Sequence, residues 1–426
     1  MFRESKILTI ALLALGCTQA SAADWITSAD LRERYQSFDN FDFNSAVDNN
    51  TWEFDSRLFV KAKREFDNGV SVYLQPQAVL IQNYTKAKGT QSFSQADLLQ
   101  AYLQYATGKY SARLGRQQLV YGDQRLLGHL GWKDVARTFD GVKVMYKSKT
   151  FNVDAFAVHP ADIAGMTPTT ASPQAKSLVT WEDRTLTGVY GTYKFAPKSG
   201  LDAYVINWKH GDGASIGRGR NLNTYGVRGF GKWGAIDATA EATFQGGTWA
   251  TGKSQSASAY AIKAGYSLGT WKTRVGIEYD YSPGDDKTDT TTHKDFVFPF
   301  HTNHAHYGEM DRFSWANMKD IRLSVKTSPA KGFTFIGNIH KLSLDNAKGD
   351  WLNVVGAGAL YPGNAAYTST DAGTEIDLKV VYKVASVKGL TLVGNYSMFS
   401  PGDAVLERTG SKDKATFSYL IASYKF

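Results

Sequence analysis

Segments of roughly ten residues in which apolar and polar side chains alternate recur along nearly the whole of this chain, and a period of two at that length leaves few folds open. In Trp52 to Arg64 one face carries Trp52, Phe54, Leu58 and Val60, and the other Glu53, Asp55, Arg57, Lys61 and Lys63. In Thr270 to Tyr281 the faces are Trp271, Val275, Ile277, Tyr279 and Tyr281 against Lys272, Arg274, Glu278 and Asp280. Around Glu375 they are Ile376, Leu378, Val380 and Tyr382 against Glu375, Asp377, Lys379 and Lys383. Strands of a soluble sandwich alternate too, but they average about 5 or 6 residues. A tilted strand crossing a bilayer needs about 10.

The connections sharpen this reading. Short turns, such as Asp67-Asn68-Gly69, Thr107-Gly108-Lys109, Lys232 to Gly234, Gly269 and Ser386 to Gly389, alternate with longer polar segments. The long segments fall near 38 to 51, 83 to 96, 117 to 139, 159 to 183, 209 to 222, 246 to 256, 282 to 317, 345 to 373 and 399 to 414. The pattern predicts an all-β fold, a transmembrane antiparallel β-barrel of about 18 strands with short periplasmic turns, long extracellular loops and both termini on the short-turn side. The last ten residues, Phe417 to Phe426, form an alternating strand ending on an aromatic, an ending like the signal read by the outer-membrane assembly machinery.

The amino terminus, MFRESKILTIALLALGCTQASAADW, has basic Arg3 and Lys6, an apolar run from Ile7 to about Gly16 and Ala20-Ser21-Ala22 before Ala23. It reads as a signal peptide over 1–22, followed by one domain over 23–426, destined for the outer membrane of a Gram-negative cell. Ala14-Leu15-Gly16 fits a lipobox before Cys17 poorly, and Cys17, the only cysteine, leaves with the signal. The mature chain therefore has neither disulfide nor thiolate chemistry. Aromatics at 13%, 40 glycines and a mean hydropathy of −0.33 are too polar for helical membrane spans, but fit a barrel in which only alternate residues meet lipid. The net charge of +8 leans toward anionic partners.

Taking the polar face of each strand as lumen gives an interior of both signs with a basic excess, including Arg57, Arg113, Lys143, Arg274, Arg322 and Lys379. Many of these groups would pair across strands and wet the wall. Those left unpaired would form a track for an anionic solute, since arginine presents a planar fork to carboxylates. Between Gln117 and Phe139 the alternation stops, and Asp123, Arg125, Lys133, Asp134 and Arg137 stand among Leu126, Leu127, Leu130 and Trp132. A loop outside the barrel would gain little from exposing those apolar groups. This third long loop is expected to fold inward and narrow the lumen, with Asp123, Asp134 or Asp140 bracing Arg125 and Arg137.

His301, His304, His306 and Glu309 share the segment HTNHAHYGEM, but nothing in a loop fixes tetrahedral geometry, so no metal and no cofactor is expected. No G-x-S-x-G, HExxH or P-loop appears, although barrel enzymes place Ser/His or Asp/His groups on their walls and need none of these motifs.

LGRQQLVYGDQRLLG followed by GWKDVARTFDGVKV resembles the alginate export family of outer-membrane porins, as do FPFHTNHAHYGEMD, KDIRLSVKTSPAKGFTFIGNIHKLSL, GTEIDLKVVYKV and GNYSMFSPGD. The resemblance spans most of the mature chain. It implies an 18-stranded barrel with a basic, partly acidic constriction that passes a polyuronate, and it makes Arg113, Arg116, Arg125, Arg137 and Asp140 candidates for the constriction or for its support. The expected function is an outer-membrane channel for an anionic saccharide or other small anionic solute, with outer-membrane lipid, lipopolysaccharide and the assembly machinery as partners and no nucleic acid. The alternatives are an uptake porin for small carboxylates or aromatic acids, a barrel enzyme, or a surface adhesin that uses loops 282 to 317 and 345 to 373.

Overall fold

A computed structural model describes residues 25–46, 49–85, 89–161, 184–211, 219–250, 252–352 and 359–426. The signal peptide and most of the segment 159 to 183 lie outside the described residues. Eighteen long strands form the wall. They are β1 (Trp25–Asp39), β2 (Thr51–Glu65), β3 (Val70–Thr85), β4 (Gly89–Thr107), β5 (Tyr110–Gln117), β6 (Phe139–Lys147), β7 (Phe151–Pro160), β8 (Arg184–Ala196) and β9 (Ser199–His210). The second half is β10 (Arg220–Trp233), β11 (Ile236–Thr248), β12 (Ser254–Ser267), β13 (Arg274–Ser282), β14 (Met318–Thr327), β15 (Phe333–Ser343), β16 (Asp371–Lys383), β17 (Leu390–Pro401) and β18 (Ala415–Lys425). Each strand runs antiparallel to its neighbours in the chain, and β1 pairs with β18 from Asp30↔Lys425 to Asp39↔Thr416. That last pairing closes the ring, so the wall has no free edge for another chain to extend.

The alternation read from the sequence sets which side chains meet lipid. Leu114, Val142, Val205, Ile277, Leu323 and Leu378 are exposed on the outside, whereas Arg34, Asp55, Glu278, Asp280, Glu375 and Asp377 are buried on the inside. Burial of polar groups and exposure of apolar ones inverts the soluble pattern, as expected where the surrounding solvent is hydrocarbon.

Two stretches differ from the expectation. Residues 83 to 96 are largely strand, with Gln82 opposite Ser92 and Thr85 opposite Gly89. The outward positions there are Thr90, Ser92 and Ser94 rather than apolar residues, so the hairpin alternates without the lipid signature and reads in sequence as a loop. The strand expected to start at Thr270 starts instead at Arg274, because Thr270–Lys272 form a tight turn in which Trp271 and Lys272 take positive φ.

Candidate functional site

Strands β5 and β6 stop well short of the long-loop end, and the chain between them, 118–138, turns into the lumen. Leu119, Leu126, Leu127, Val135 and Ala136 on it are all buried. One side is held by the first two strands. Arg32 and Arg34 both donate to the Trp132 carbonyl, at 2.9 and 2.8 Å, and both pair with Asp134. They also pair with Asp55 on the neighbouring strand. Arg57 donates to the carbonyls of Gly131 and Lys133.

The other side of the loop is held half a circumference away. Asp123 pairs with Arg228 of β10 and Lys263 of β12, and Arg125 pairs with Glu278 and Asp280 of β13. Opposite walls of a closed ring are thus tied through one segment, which places 118–138 across the lumen. These carboxylates sit among cations, and the arginines pull Asp134 below the ordinary carboxylate range although burial opposes them.

A second loop, 283–317, lies beside the first. The two are joined as a short parallel β-bridge, Leu127 against Phe300. The amide of Phe300 donates to the Leu126 carbonyl, the amide of Gly128 to the Phe300 carbonyl and the amide of Thr302 to the Gln124 carbonyl. Phe296, Phe298, Phe300, Phe313 and Trp315 of the second loop and Leu126 and Leu127 of the first share one apolar cluster inside the barrel. Such a cluster, removed from water, gives the two loops a core of their own.

The second loop has its own anchors to the wall. Glu309 pairs with Lys379 of β16 and accepts from the Tyr419 hydroxyl of β18 at 2.9 Å. The amide of Met310 donates to Glu375 at 2.8 Å. Gly308, at φ +92°, lies so close to Glu375 that a Cβ there would come within 2.5 Å of its carboxylate. The segment set aside for an adhesin surface, 282 to 317, is therefore largely lumen filling.

The histidines of this loop do not converge on one point. His304 lies between Glu309 and Asp311, and His306 contacts the Asp123 carbonyl through Nε2 at 2.8 Å. Among the described residues, the one group of three carboxylates within mutual reach of an ion is Glu53, Asp55 and Asp134. Arg32 and Arg34 already pair with Asp55 and Asp134.

The sequence candidates fall into three groups. Arg57, Arg125 and Arg137 hold loop 118–138 in place, Arg137 by donating to the Gly128 and His301 carbonyls. Arg113, Lys143, Arg274, Arg322 and Lys379 face the lumen from the wall. Lys143 pairs with Asp154, Arg274 with Asp237, Arg322 with Glu278 and Lys379 with Glu309. Arg113 gives both Nε and Nη2 to the Gln104 side-chain oxygen and covers the Tyr102 ring at 4.0 Å.

Arg116 and Asp140 form the third group and correct the expectation. They face each other in the β5–β6 register, one step beyond the Leu114–Val142 pair, and form a two-pronged ion pair. Leu114 and Val142 point outward, so residues two positions further on do as well. Arg116 and Asp140 therefore lie on the outer face, away from the solute path. Counting two from Leu114 along the sequence finds this. The polar faces already carried Asp55, Glu278 and Asp280, but nothing in the sequence pairs them with loop 118–138, which they meet only through closure of the ring; Tyr307, on loop 283–317, carries no mark at all.

A model of the alginate export family matches residues 25–418. No curated protein matches the chain. Among solved structures, the chain is similar to OccK8 (OprE) of Pseudomonas aeruginosa, with 14% identity, a TM-score of 0.64 and coverage of 95% of this chain and 98% of that one. OccK2 (OpdF) of the same organism, solved in complex with glucuronate, has 14% identity, a TM-score of 0.63 and the same coverage. For OprD of that organism the identity is 13%, the TM-score 0.59 and the coverage 95% of each chain.

Proposed function

The chain belongs to the alginate export family, and from that premise we propose that it is a channel for anionic solutes, with a uronate-containing saccharide as cargo. Family and barrel together support an outer-membrane channel; the absence of catalysis and the nature of the solute are what the proposal adds. The observation that carries it is the state of three arginines on the path. Arg57, Arg113 and Arg137 donate only to neutral oxygens, namely backbone carbonyls and the Gln104 amide. Among the described residues none of the three has a carboxylate partner. Arg32, Arg34, Arg125, Arg228 and Arg322 are by contrast each paired with a carboxylate, so Arg57, Arg113 and Arg137 supply positive potential that an anion meets.

A second reading, a channel for small carboxylates rather than a polymer, is favoured by the two clasped loops, which leave a narrower passage than an empty 18-strand ring. OccK2 was solved with a monomeric uronate, which agrees with either reading. Reversal potentials across a salt gradient in a planar bilayer test the anionic claim. Anion preference at low salt that fades at high salt is expected, because screening shortens from about 10 Å at 0.1 M to about 3 Å at 1 M. Cation preference at low salt sinks it. Block of the current by polygalacturonate fragments of graded length then separates the two cargoes, since a channel for small carboxylates is blocked by the monomer and short fragments only.

A further inference from the structure

The short-turn end of the barrel carries a feature that neither the constriction nor its solute requires. Nine strands run toward that end, and five of them, β6, β8, β10, β14 and β16, carry Lys147, Lys194, Lys232, Lys326 and Lys383 within two residues of their ends. All five are exposed. Their register puts each on the inward face: Lys147 is opposite Asn152, Lys194 opposite Gly200, Lys232 opposite Asp237, Lys326 opposite Arg274 and Lys383 opposite Thr391. The adjoining outward positions are mostly aromatic, Tyr146, Tyr193, Trp233 and Tyr382, the interfacial belt where a barrel meets headgroups. The alternation thus sends the ring to the lipid and the lysine to the mouth. None of the five has a salt bridge among the described residues, whereas Lys63 and Lys425, inward near the ends of β2 and β18, pair with Glu65 and Asp30. Exposed Lys109, Lys149, Lys198, Lys331 and Lys388 stand on the turns around them.

The opposite rim is built differently. There Lys287, Lys294, Lys319, Lys341 and Lys412 each pair with an aspartate. Exposed Lys209, Lys348 and Lys414 at that end have no salt bridge among the described residues, so what distinguishes the short-turn end is that its unpaired lysines sit on the inward face of successive strand ends.

We propose that the periplasmic mouth is a capture site for polyanions, in which Lys147, Lys194, Lys232, Lys326 and Lys383 draw a chain of repeated carboxylates toward the lumen before it reaches the constriction. This inference rests on the anionic-solute reading and adds the residues that first meet the solute at the short-turn end. Successive descending strands stand about 10 Å apart around the wall, comparable with the screening length of about 8 Å at physiological salt. Lys147, Lys194 and Lys232 on β6, β8 and β10 therefore act together, as do Lys326 and Lys383 on β14 and β16, with β12 between the two groups. Ammonium groups of this kind are hydrated point charges without a fixed fork, so the site selects for charge density and length rather than for sugar identity. The inward register favours a solute over the phospholipid leaflet, which the outward aromatics meet.

The test is the rate of current block by long polygalacturonate fragments, added in turn to each side of a bilayer holding channels of one orientation. Wild-type capture from the periplasmic side should exceed capture from the extracellular side at low salt. The five-fold Lys→Gln variant at 147, 194, 232, 326 and 383 should lose that excess, with periplasmic capture falling at least about tenfold, a modest value for electrostatic steering. A control carrying Lys287→Gln, Lys294→Gln, Lys319→Gln, Lys341→Gln and Lys412→Gln should capture from the periplasmic side as the wild type does. Heat-modifiable gel migration confirms that each variant is a folded barrel, and single Lys→Gln variants, each expected to show part of the fall, serve if the five-fold variant does not fold. Equal wild-type rates from both sides, with anion preference intact, overturn the capture site alone. Cation preference together with no block from either side overturns the anionic-solute reading itself. A mouth variant that captures normally, but whose melting temperature no longer depends on phosphatidylglycerol in the vesicle, assigns the lysines to the leaflet and also overturns the proposal.

Discussion

The indole of Trp132 and the imidazole of His304 lie face to face, 3.8 Å between ring centroids and 11° from parallel, although they belong to two different loops. Arg34 covers the indole from another direction at 4.3 Å. This contact is the side-chain half of the clasp whose backbone half is the Leu127–Phe300 bridge. Replacing Trp132 by Ala removes a large, half-buried ring from between the loops, a change smaller than the roughly 3 to 5 kcal/mol that a fully buried ring costs. Single-channel conductance should rise and become noisier, and deletion of residues 124 to 136 should raise it further while blunting ion selectivity. Unchanged conductance in a folded deletion variant places the constriction elsewhere.

Arg125 is buried with Glu278 and Asp280 and donates to the Tyr307 hydroxyl at 2.7 Å. Arg125→Met leaves Asp280 without a cationic partner among the described residues, while Glu278 keeps Arg322, and breaking a buried pair from one side costs about 3 to 5 kcal/mol. Protease cleavage within 118–138 of the folded barrel should increase sharply. Adding Asp280→Asn should restore part of the protection, because it removes the stranded charge. A double variant cleaved faster than the single one contradicts this account.

Gly308 is required on two counts, its positive φ and its closeness to Glu375. Gly308→Ala should lift the Met310 amide from the Glu375 carboxylate and loosen loop 283–317 without unfolding the wall. Hydrogen exchange is the suitable readout: faster exchange confined to the loops supports the reading, and unchanged exchange at Met310 refutes it.

The Glu309–His304 pair should make the clasp sensitive to pH. Burial alone would raise the Glu309 carboxyl, but His304 and Lys379 overcome it and hold the group at about 2. Burial would lower His304, but Asp311 and Glu309 overcome that and raise it above its ordinary value. The Glu309 contribution is present above its unfolded value of about 4.3 and is lost as pH falls toward 2. The His304 contribution is present below about 6.5 and is lost as pH rises through the raised folded value. Current fluctuation should therefore be least between about pH 4.3 and 6.5. His304→Asn should abolish the alkaline limb and leave the acid one. A flat wild-type profile above that window counts against the brace.

Leu378 faces lipid and Asp377 the interior. Leu378→Arg should destabilise the barrel by about 2 to 4 kcal/mol in a urea titration, the cost of a cation near mid-bilayer. A lipid-soluble thiol reagent should label cysteine at 378 or 380 and not at 377 or 379; the opposite labelling reverses the register.

Much of the wall was legible in the residues alone. Alternation marked inward and outward faces even for Arg116 and Asp140, whose outer position a count of two from Leu114 reveals. It failed where the lipid signature is missing, as in the Thr90-Ser92-Ser94 stretch above the membrane. For the loops, Leu126, Leu127 and Trp132 among charges marked 118–138 as inward, but the polar, histidine-rich 283–317 gave no comparable mark. Its apolar residues, Phe296, Phe298, Phe300 and Trp315, follow neither strand nor helix period.

By itself the sequence determined the strand number, the faces and the end at which the turns are short, because each of these follows from local periodicity against two solvents. Which charge meets which was decided only by tertiary structure. Arg32 and Asp134, or Arg125 and Glu278, are far apart in the chain and become neighbours only once eighteen strands close into a ring and fix the distance between opposite walls. Residual charge after pairing, left at Arg57, Arg113 and Arg137 and at the lysines of the mouth, is a property of that closed geometry, since composition counts charges without saying which of them are neutralised.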